Sequence, residues 1–171
     1  MKADQLRARQ APIKKRFRET PESSRVTLRA TGDVIVEQQQ CDVGSALGST
    51  TTGLHRLTGG DGAAACSAQM LLESLAGCAG TTFCVVATML EISCAHVQVN
   101  VNGTLDFGGT MGVASPEAVG FESIDVVFEV STDADEALLD KALELTERYC
   151  VVQQSLRTPV RASWERTSIS S

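Results

Sequence analysis

The segment AQMLLESLAGCAGTTFCVVATMLE, residues 68–91, is the longest part of this sequence that predicts a single element. It contains no proline and only two charged side chains, and Ser67 before it is a residue type that favours the start of a helix. A helix with so few charges must be covered by protein over most of its surface, which is typical of a central helix. Gly77 and Gly80 each cost about 1 kcal/mol relative to alanine inside a helix. We therefore expect them to let another helix approach closely.

Shorter patterned segments on both sides of this helix predict strands and a second helix. The alternating or apolar segments expected to form strands are RVTLRATGDVIVEQ (25–38, a hairpin turning at Gly32-Asp33), HVQVNVNG (96–103, ending on an Asn-Gly turn), FESIDVVFEV (121–130) and VRASWE (160–165). The second helix follows a capping pattern at Asp133 and Glu136 and ends at Cys150. Strands, long helix, strands, helix and strand do not alternate strictly, which predicts the α+β class rather than a doubly wound sheet.

The chain length and the charge distribution predict one domain with a basic arm. With 171 residues and 43% hydrophobic composition, the chain is long enough for a single core, and we expect an arm over residues 1–24 and one domain over residues 25–171. Residues 1–18 hold seven of the fifteen Lys and Arg residues, although the net charge of the whole chain is -6. Such an arm can be solvated, dock on its own molecule or dock on a second copy. The acidic balance argues against nucleic-acid binding.

The sequence predicts a soluble, cytoplasmic protein without a cofactor. No uninterrupted apolar run reaches the 18 residues of a membrane span, and no apolar region follows the N-terminal charges, so we expect no membrane association and no standard export signal. Six cysteines without such a signal are expected to be reduced thiols rather than a disulfide framework. They form no CxxC pair, and there are only two histidines, so we expect no metal site.

Cys78 is the cysteine of the long helix with the most polar neighbours. Ser74 and Thr82 lie one turn before and after it, where their hydroxyls can donate to a thiolate or bond back to the helix backbone. Cys84 lies about 120° away around the helix and cannot form a disulfide with Cys78 there. A cysteine in an apolar helix is more often a small core residue than a nucleophile, and this interpretation is kept for Cys41, Cys66, Cys84 and Cys94.

Two segments carry a resemblance to a known family. MLLESLAGCAGTTFCVVA (70–87) and, some seventy residues later, ERYCVVQQSL (147–156) resemble the two cysteine motifs of the OsmC/Ohr family of thiol peroxidases, and the similarity extends over roughly residues 5–166. The resemblance implies an OsmC-like fold with a long central helix, a second helix that carries the other redox cysteine, and antiparallel sheets. It also implies an intertwined homodimer.

The resemblance further implies an antioxidant function in the stress response. Cys78 would be the peroxidatic cysteine that attacks an organic hydroperoxide, and Cys150 the resolving cysteine that closes a disulfide with it. Arg56 is the best match for the arginine that holds the thiolate in the family. A dithiol or a lipoylated protein would then reduce the disulfide. Ser74 and Thr82 are candidate supporting residues.

The sequence departs from the family pattern at two positions. The family glutamate lies ten residues before the peroxidatic cysteine, where this chain has Ala68 followed by Gln69, and Gln69 is a supporting candidate that cannot pair with the arginine charge. Val151 replaces the proline that commonly follows the resolving cysteine. These departures keep two alternatives open. One is an OsmC-like binding protein for a small molecule or lipid with little or no peroxidase activity, and the other is a stress protein whose thiols are only core residues.

Overall fold

The computed structural model describes residues 1–45, 48–113 and 119–167, and it confirms the α+β class. The elements, in chain order, are α1 (Ala3–Glu19), β1 (Thr31–Ile35), β2 (Gln40–Ser45), β3 (Gly48–Thr52), α2 (Ser67–Met89), β4 (His96–Leu105), α3 (Phe107–Thr110), β5 (Phe121–Ser131), α4 (Glu136–Tyr149), α5 (Val151–Gln154) and β6 (Val160–Arg166). The predicted long helix, the second helix and the last strand are all present. Residues 114–118, between the strands predicted at 96–103 and 121–130, lie outside the described part.

The first sheet has the antiparallel order β1-β2-β3, and it corrects the predicted hairpin. Gly32 and Asp33 do not form a turn but lie inside β1, and the chain reverses instead through the 3-10 turn Val36–Gln38 and the left-handed residue Gln39. A Cβ on Gly32 would lie 2.7 Å from the sulfur of Cys41 on the paired strand. The glycine therefore serves strand packing, which a turn pattern in the sequence does not distinguish.

The second sheet has the order β4-β5-β6, and β6 runs parallel to β5. The expectation of antiparallel sheets therefore holds for the first sheet and is wrong for this pair of strands. The reason is the connection between them, because α4 and the residues around it are long enough to carry the chain back to the starting edge. Arg161 on β6 donates two hydrogen bonds to Asp125, its register partner on β5, at 2.7 and 3.0 Å.

The predicted Asn-Gly turn at Asn102 and Gly103 is also wrong, because β4 continues through both residues to Leu105. A Cβ on Gly103 would lie 2.6 Å from the Phe121 ring and 3.1 Å from the side chain of Leu72. Close packing of two large side chains over the strand explains this glycine without any turn.

The core that carries the two predicted redox cysteines is formed by α2, β5 and α4. Phe83 of α2 stacks on Phe128 of β5, with ring centroids 4.9 Å apart, so the helix lies directly against the strand. The fully or nearly fully buried side chains of this core are Leu75, Ala79, Phe83, Ile124, Val126, Phe128, Val130, Leu139, Ala142 and Thr146. The Trp164 indole of β6 donates to Asp140 of α4 at 2.8 Å and ties the second helix to the sheet.

The chain forms two compact units. The first contains Met1–Val26, Leu75–Asn102 and Ile124–Ser171, and the second contains Thr27–Ser74 and Gly103–Ser123. In the first unit, the helix α1 makes up most of the predicted basic arm. The boundary between this arm and the predicted domain stays a prediction. Helix α2 is long and apolar enough, by length and composition alone, to cross a membrane, as central helices of folded domains also can be. Only 33% of its most apolar stretch is buried within the chain, so much of this helix is uncovered.

Candidate functional site

Cys78 and Cys150 meet within the first unit, and they differ in exposure. Cys78 lies on α2 and is half-buried, whereas Cys150 is 0% exposed. Cys150 ends α4 and precedes α5, and its backbone is held on both sides. Its N–H donates to the Thr146 carbonyl at 2.9 Å, and its carbonyl accepts from the Gln154 N–H at 3.0 Å. A reagent from solvent can therefore reach Cys78, while Cys150 is fixed behind it.

The two thiols are in hydrogen-bond contact, and their pKa values move in opposite directions. Burial tends to raise the pKa of Cys78, but hydrogen bonds from the Val152 N–H, the Cys150 thiol and the Val151 N–H outweigh burial and hold that pKa below its ordinary value. Burial, together with the negative charge on Cys78, raises the pKa of Cys150. Cys78 is therefore the thiol of the pair that ionises more readily, and Cys150 is the one that keeps its proton and can donate it in a hydrogen bond to Cys78.

The backbone donors at Val151 and Val152 were missed in the sequence. They are the first two residues of α5, whose N–H groups have no partner inside the helix and are free to point at a thiolate. The sequence does show that Val151 replaces the proline usual in the family, and this difference is the signal that could have predicted the extra N–H donor. A proline has no N–H, so this chain has one more donor than a proline at that position would give.

Thr82 is the one hydroxyl candidate that contacts Cys78. Its Oγ1 donates to the Cys78 carbonyl at 2.8 Å and also lies within hydrogen-bond range of the Cys78 sulfur. One hydroxyl has one proton, so these two hydrogen bonds exclude each other at any moment. While the hydroxyl donates to the carbonyl at 2.8 Å, it is not available to the sulfur.

Replacement of Val151 by proline is expected to raise the pKa of Cys78. Proline fits this site, because Val151 is the first residue of α5 and Cys150 before it is already extended, with φ -73° and ψ 104°. The measurement is the rate of iodoacetamide alkylation of Cys78 against pH, followed by peptide mass spectrometry. In the unchanged chain the rate should reach its plateau at a lower pH than the rate for Cys94, whose pKa is raised by burial.

The matched control is Val151→Ala, which keeps the N–H and should leave the alkylation profile of Cys78 in place. In Val151→Pro the midpoint should move to higher pH, because loss of a donor destabilises the thiolate. Equal midpoints in the two variants would show that this N–H does not act on the thiolate.

The remaining predicted site residues lie in the second unit. Arg56 is exposed and begins the 3-10 turn Arg56–Thr58, where its guanidinium covers Gly62 so closely that a Cβ there would collide with it. Gln69 and Ser74 are exposed on α2, and Ser74 precedes Cys78 by one turn. Roles of these three residues in the chemistry of Cys78 stay predictions.

The second unit also contains a cavity of about 350 Å³. Its lining combines the apolar side chains of Leu72, Leu105, Phe107 and Phe121 with the imidazole of His55, the thiol of Cys66 and the amide of Gln69. The His55 ring stacks on Phe107 with centroids 4.5 Å apart, and its Nδ1 accepts from the Leu57 N–H at 3.1 Å. The neutral ring then carries its proton on Nε2, which makes it a donor for a polar group of a bound molecule.

The other cysteines show no comparable pairing. Cys84 was predicted to be a core residue. This prediction is wrong for the single chain, because the Cys84 side chain is exposed. Cys94 is half-buried, with a raised pKa that favours the neutral thiol. In residues 1–45, 48–113 and 119–167 no three His, Cys, Asp or Glu side chains are grouped as metal ligands would be.

Comparisons with known proteins concern the family and the fold of the chain. The family model for OsmC-like proteins matches residues 59–165. An OsmC-like protein from Mycoplasma pneumoniae has a similar fold, with a TM-score of 0.68 and 14% identity over 83% of this chain and 98% of the other. An organic hydroperoxide resistance protein from Legionella pneumophila gives 0.63 and 16% over 84% and 99%, and OhrB of Bacillus subtilis gives 0.57 and 16% over 83% and 98%. No curated protein sequence matches significantly.

Proposed function

The chain belongs to the OsmC-like protein family, and we propose that it is a thiol-dependent peroxidase that reduces organic hydroperoxides. The observation that carries the proposal is the contact between a half-buried Cys78 with a lowered pKa and a fully buried Cys150 with a raised one. Structural neighbours that are organic hydroperoxide resistance proteins support the choice of substrate class. The cytoplasmic location belongs to the same proposal and rests on the cysteine usage of the sequence alone.

The proposed reaction begins with attack by the Cys78 thiolate on the terminal oxygen of the hydroperoxide. The O–O bond breaks, the sulfur keeps the terminal OH as a sulfenic acid, and the alkoxide takes up a proton and leaves as the alcohol. The Cys150 sulfur then attacks the Cys78 sulfur and releases water as the disulfide forms. A dithiol reductant restores both thiols and is itself oxidised to a disulfide. Cys150 is placed for this step, because its thiol already interacts with Cys78.

Three hydrogen-bond donors lie at the Cys78 sulfur: the Val152 N–H, the Cys150 thiol and the Val151 N–H. The Thr82 hydroxyl becomes a fourth only when it releases the Cys78 carbonyl, and together these donors lower the pKa of Cys78 despite burial. We infer that these donors compensate for the family glutamate, whose position Ala68 occupies. Arg56 is kept as the proposed cation of the site, with Gln69 and Ser74 as supporting residues.

The test is a peroxidase assay on the full chain with dihydrolipoamide as the reductant. Cumene hydroperoxide should be consumed catalytically, and hydrogen peroxide should be consumed more slowly. Glutathione, a monothiol, should support less turnover than the dithiol. No turnover with either peroxide, at thiol content confirmed by titration, would refute the proposal.

The cavity in the second unit favours the binding-protein alternative. Its lining of apolar side chains together with His55, Cys66 and Gln69 suits a small molecule that has both an apolar part and polar groups. Native mass spectrometry of the purified chain would support this alternative if it found a stoichiometric apolar ligand while both thiols reacted slowly with peroxide.

The uncovered face of α2 supports the proposed homodimer. The exposed residues on this face are small or apolar except for the charged Glu73, and they are Leu71, Glu73, Ser74, Gly77, Thr81, Cys84 and Val85. A Cβ on Gly77 would meet nothing within 4 Å, whereas one on Gly80 would touch Val99 at 3.4 Å. Gly80 is therefore packed against Val99 of its own chain, whereas the open space at Gly77 can accept a second helix. A hydrophobic surface of this kind is typical of an interface.

Gly77→Arg is expected to turn the dimer into a monomer without unfolding it. The new side chain has open space in the single chain and a better helix propensity than glycine, but it places a charge in the proposed interface. Size-exclusion chromatography with light scattering should change from twice the 18.1 kDa chain mass to that mass. Gly77→Ala should stay dimeric and gain about 1 kcal/mol of stability. A monomeric unchanged chain would contradict this part of the proposal.

A further inference from the structure

The N-terminal helix α1 has an apolar stripe whose second half is uncovered. Leu6, Ile13 and Phe17 fall within about 40° of one another around the helix. Only the start of the stripe is packed against other residues of the first unit, where Ala3 is 8% exposed and Leu6 is half-buried. Ile13 and Phe17 are 43% and 36% exposed, and every residue of α1 after Gln10 is exposed.

Charged residues are arranged around this stripe in a regular way. Of the seven basic residues in positions 1–18, six lie within about 120° of the stripe on its two sides, and they are Lys2, Arg7, Arg9, Lys14, Arg16 and Arg18. Lys15 lies on the opposite face with the acidic Asp4 and Glu19, and it pairs with Glu19 at 3.8 Å. The uncovered side of α1 is thus apolar along its centre and positive at its edges.

A helix of this kind needs a covering surface. Pro12 inside α1 removes one backbone hydrogen bond, and the parts of the helix on its two sides are each shorter than the roughly 12–15 residues that an isolated helix needs in water. The part of α1 after Gln10 has no buried residue that could supply packing within the chain. Association with a surface that is negative and partly apolar would supply both kinds of contact.

We propose that the uncovered half of α1 docks on the acidic body of a second copy of this chain. Residues 19–171 hold eight basic and twenty acidic residues, a net charge of -12, so this body attracts the basic helix. The same body would be repelled by an anionic membrane. One such contact already exists within the chain, where Arg7 donates to the Met89 carbonyl at 3.2 Å and lies 3.6 Å from Glu91. The inference is independent of the chemistry at Cys78.

Photo-crosslinking of the full chain tests the docking directly. Benzoylphenylalanine is incorporated in place of Phe17, and irradiation should give a covalent product of twice the 18.1 kDa chain mass on a denaturing gel. The same photoreactive residue in place of Ala8, about 180° from Phe17 and on the other side of the helix, should give little of this product. Equal yields from the two positions, a link only within one chain, or no product would overturn the proposal.

Two adjacent charge reversals identify the driving force. Lys14→Glu changes a residue beside the stripe and should lower the yield from position 17 by at least about threefold, because it repels the acidic body. Lys15→Glu makes the same charge change on the opposite face and should leave the yield nearly unchanged. Flotation with phosphatidylglycerol vesicles that is lost in Phe17→Glu would show that a lipid surface covers the helix, and it would also overturn the proposal.

Discussion

Cys78→Ser is expected to lower the rate of cumene hydroperoxide reduction by about 10³-fold or more, because a hydroxyl at this position is not ionised and cannot attack the O–O bond. The donors that surround the sulfur stabilise a thiolate and would have no anion to stabilise in the variant. The measurement is kcat/KM with a dithiol reductant, together with circular dichroism to show that the fold is kept. Serine is close to cysteine in size, so a half-buried site on α2 should tolerate it.

Cys84→Ser is the matched control on the same helix. It removes a thiol that is exposed and six residues away, on another side of α2, and its hydroxyl fits the exposed surface equally well. This variant should keep the activity of the unchanged chain. If Cys78→Ser kept full activity, or if Cys84→Ser lost it, the thiolate would have been assigned to the wrong residue.

Cys150→Ser is expected to separate the first chemical step from turnover. The serine hydroxyl can still donate to the Cys78 thiolate, so the first equivalent of peroxide should be consumed at a rate within about threefold of the unchanged chain. The sulfenic acid then has no thiol partner and should persist. Steady-state turnover with a dithiol should fall by about 10²-fold. Mass spectrometry should show an added oxygen of about 16 Da on the peptide that contains Cys78, trapped by dimedone.

Excess peroxide gives the second part of this experiment. The persistent sulfenic acid should take up a further oxygen and become an irreversible sulfinic acid, with inactivation that the unchanged chain resists. Cys94→Ser serves as the control, because the Cys94 thiol is half-buried and kept neutral by its raised pKa. Turnover of Cys150→Ser at the rate of the unchanged chain would show that another thiol resolves the sulfenic acid.

The sequence predicts the fold correctly where a long hydrophobic pattern corresponds to one helix or to one buried face of a strand. The 24-residue apolar run gives α2, and the alternation of Ile124, Val126, Phe128 and Val130 gives the buried face of β5. Gly32 and Gly103 were misinterpreted as turn residues because glycine is also used where two strands or a ring approach closely. The direction of β6 depends on how α4 returns the chain to the sheet, and no local pattern encodes it.

The candidate site was also predicted only in part from the sequence. Cys78 and Cys150 could be selected from a family resemblance, and the structure brings them into contact. The donors at Val151 and Val152 are main-chain groups, which every residue except proline carries, so their role depends on where α5 begins and not on side-chain identity. The exposure of Cys84 could not be predicted either, because it depends on which face of α2 the chain itself covers.

The most direct measurement of the central claim is disulfide mapping after one equivalent of cumene hydroperoxide. The reduced full chain is oxidised, the free thiols are alkylated, and non-reduced peptides are identified by mass spectrometry. The account predicts one dominant link between Cys78 and Cys150 within a chain, with Cys41, Cys66, Cys84 and Cys94 alkylated. A link between any other pair, or six alkylated thiols after the peroxide has been consumed, would contradict it.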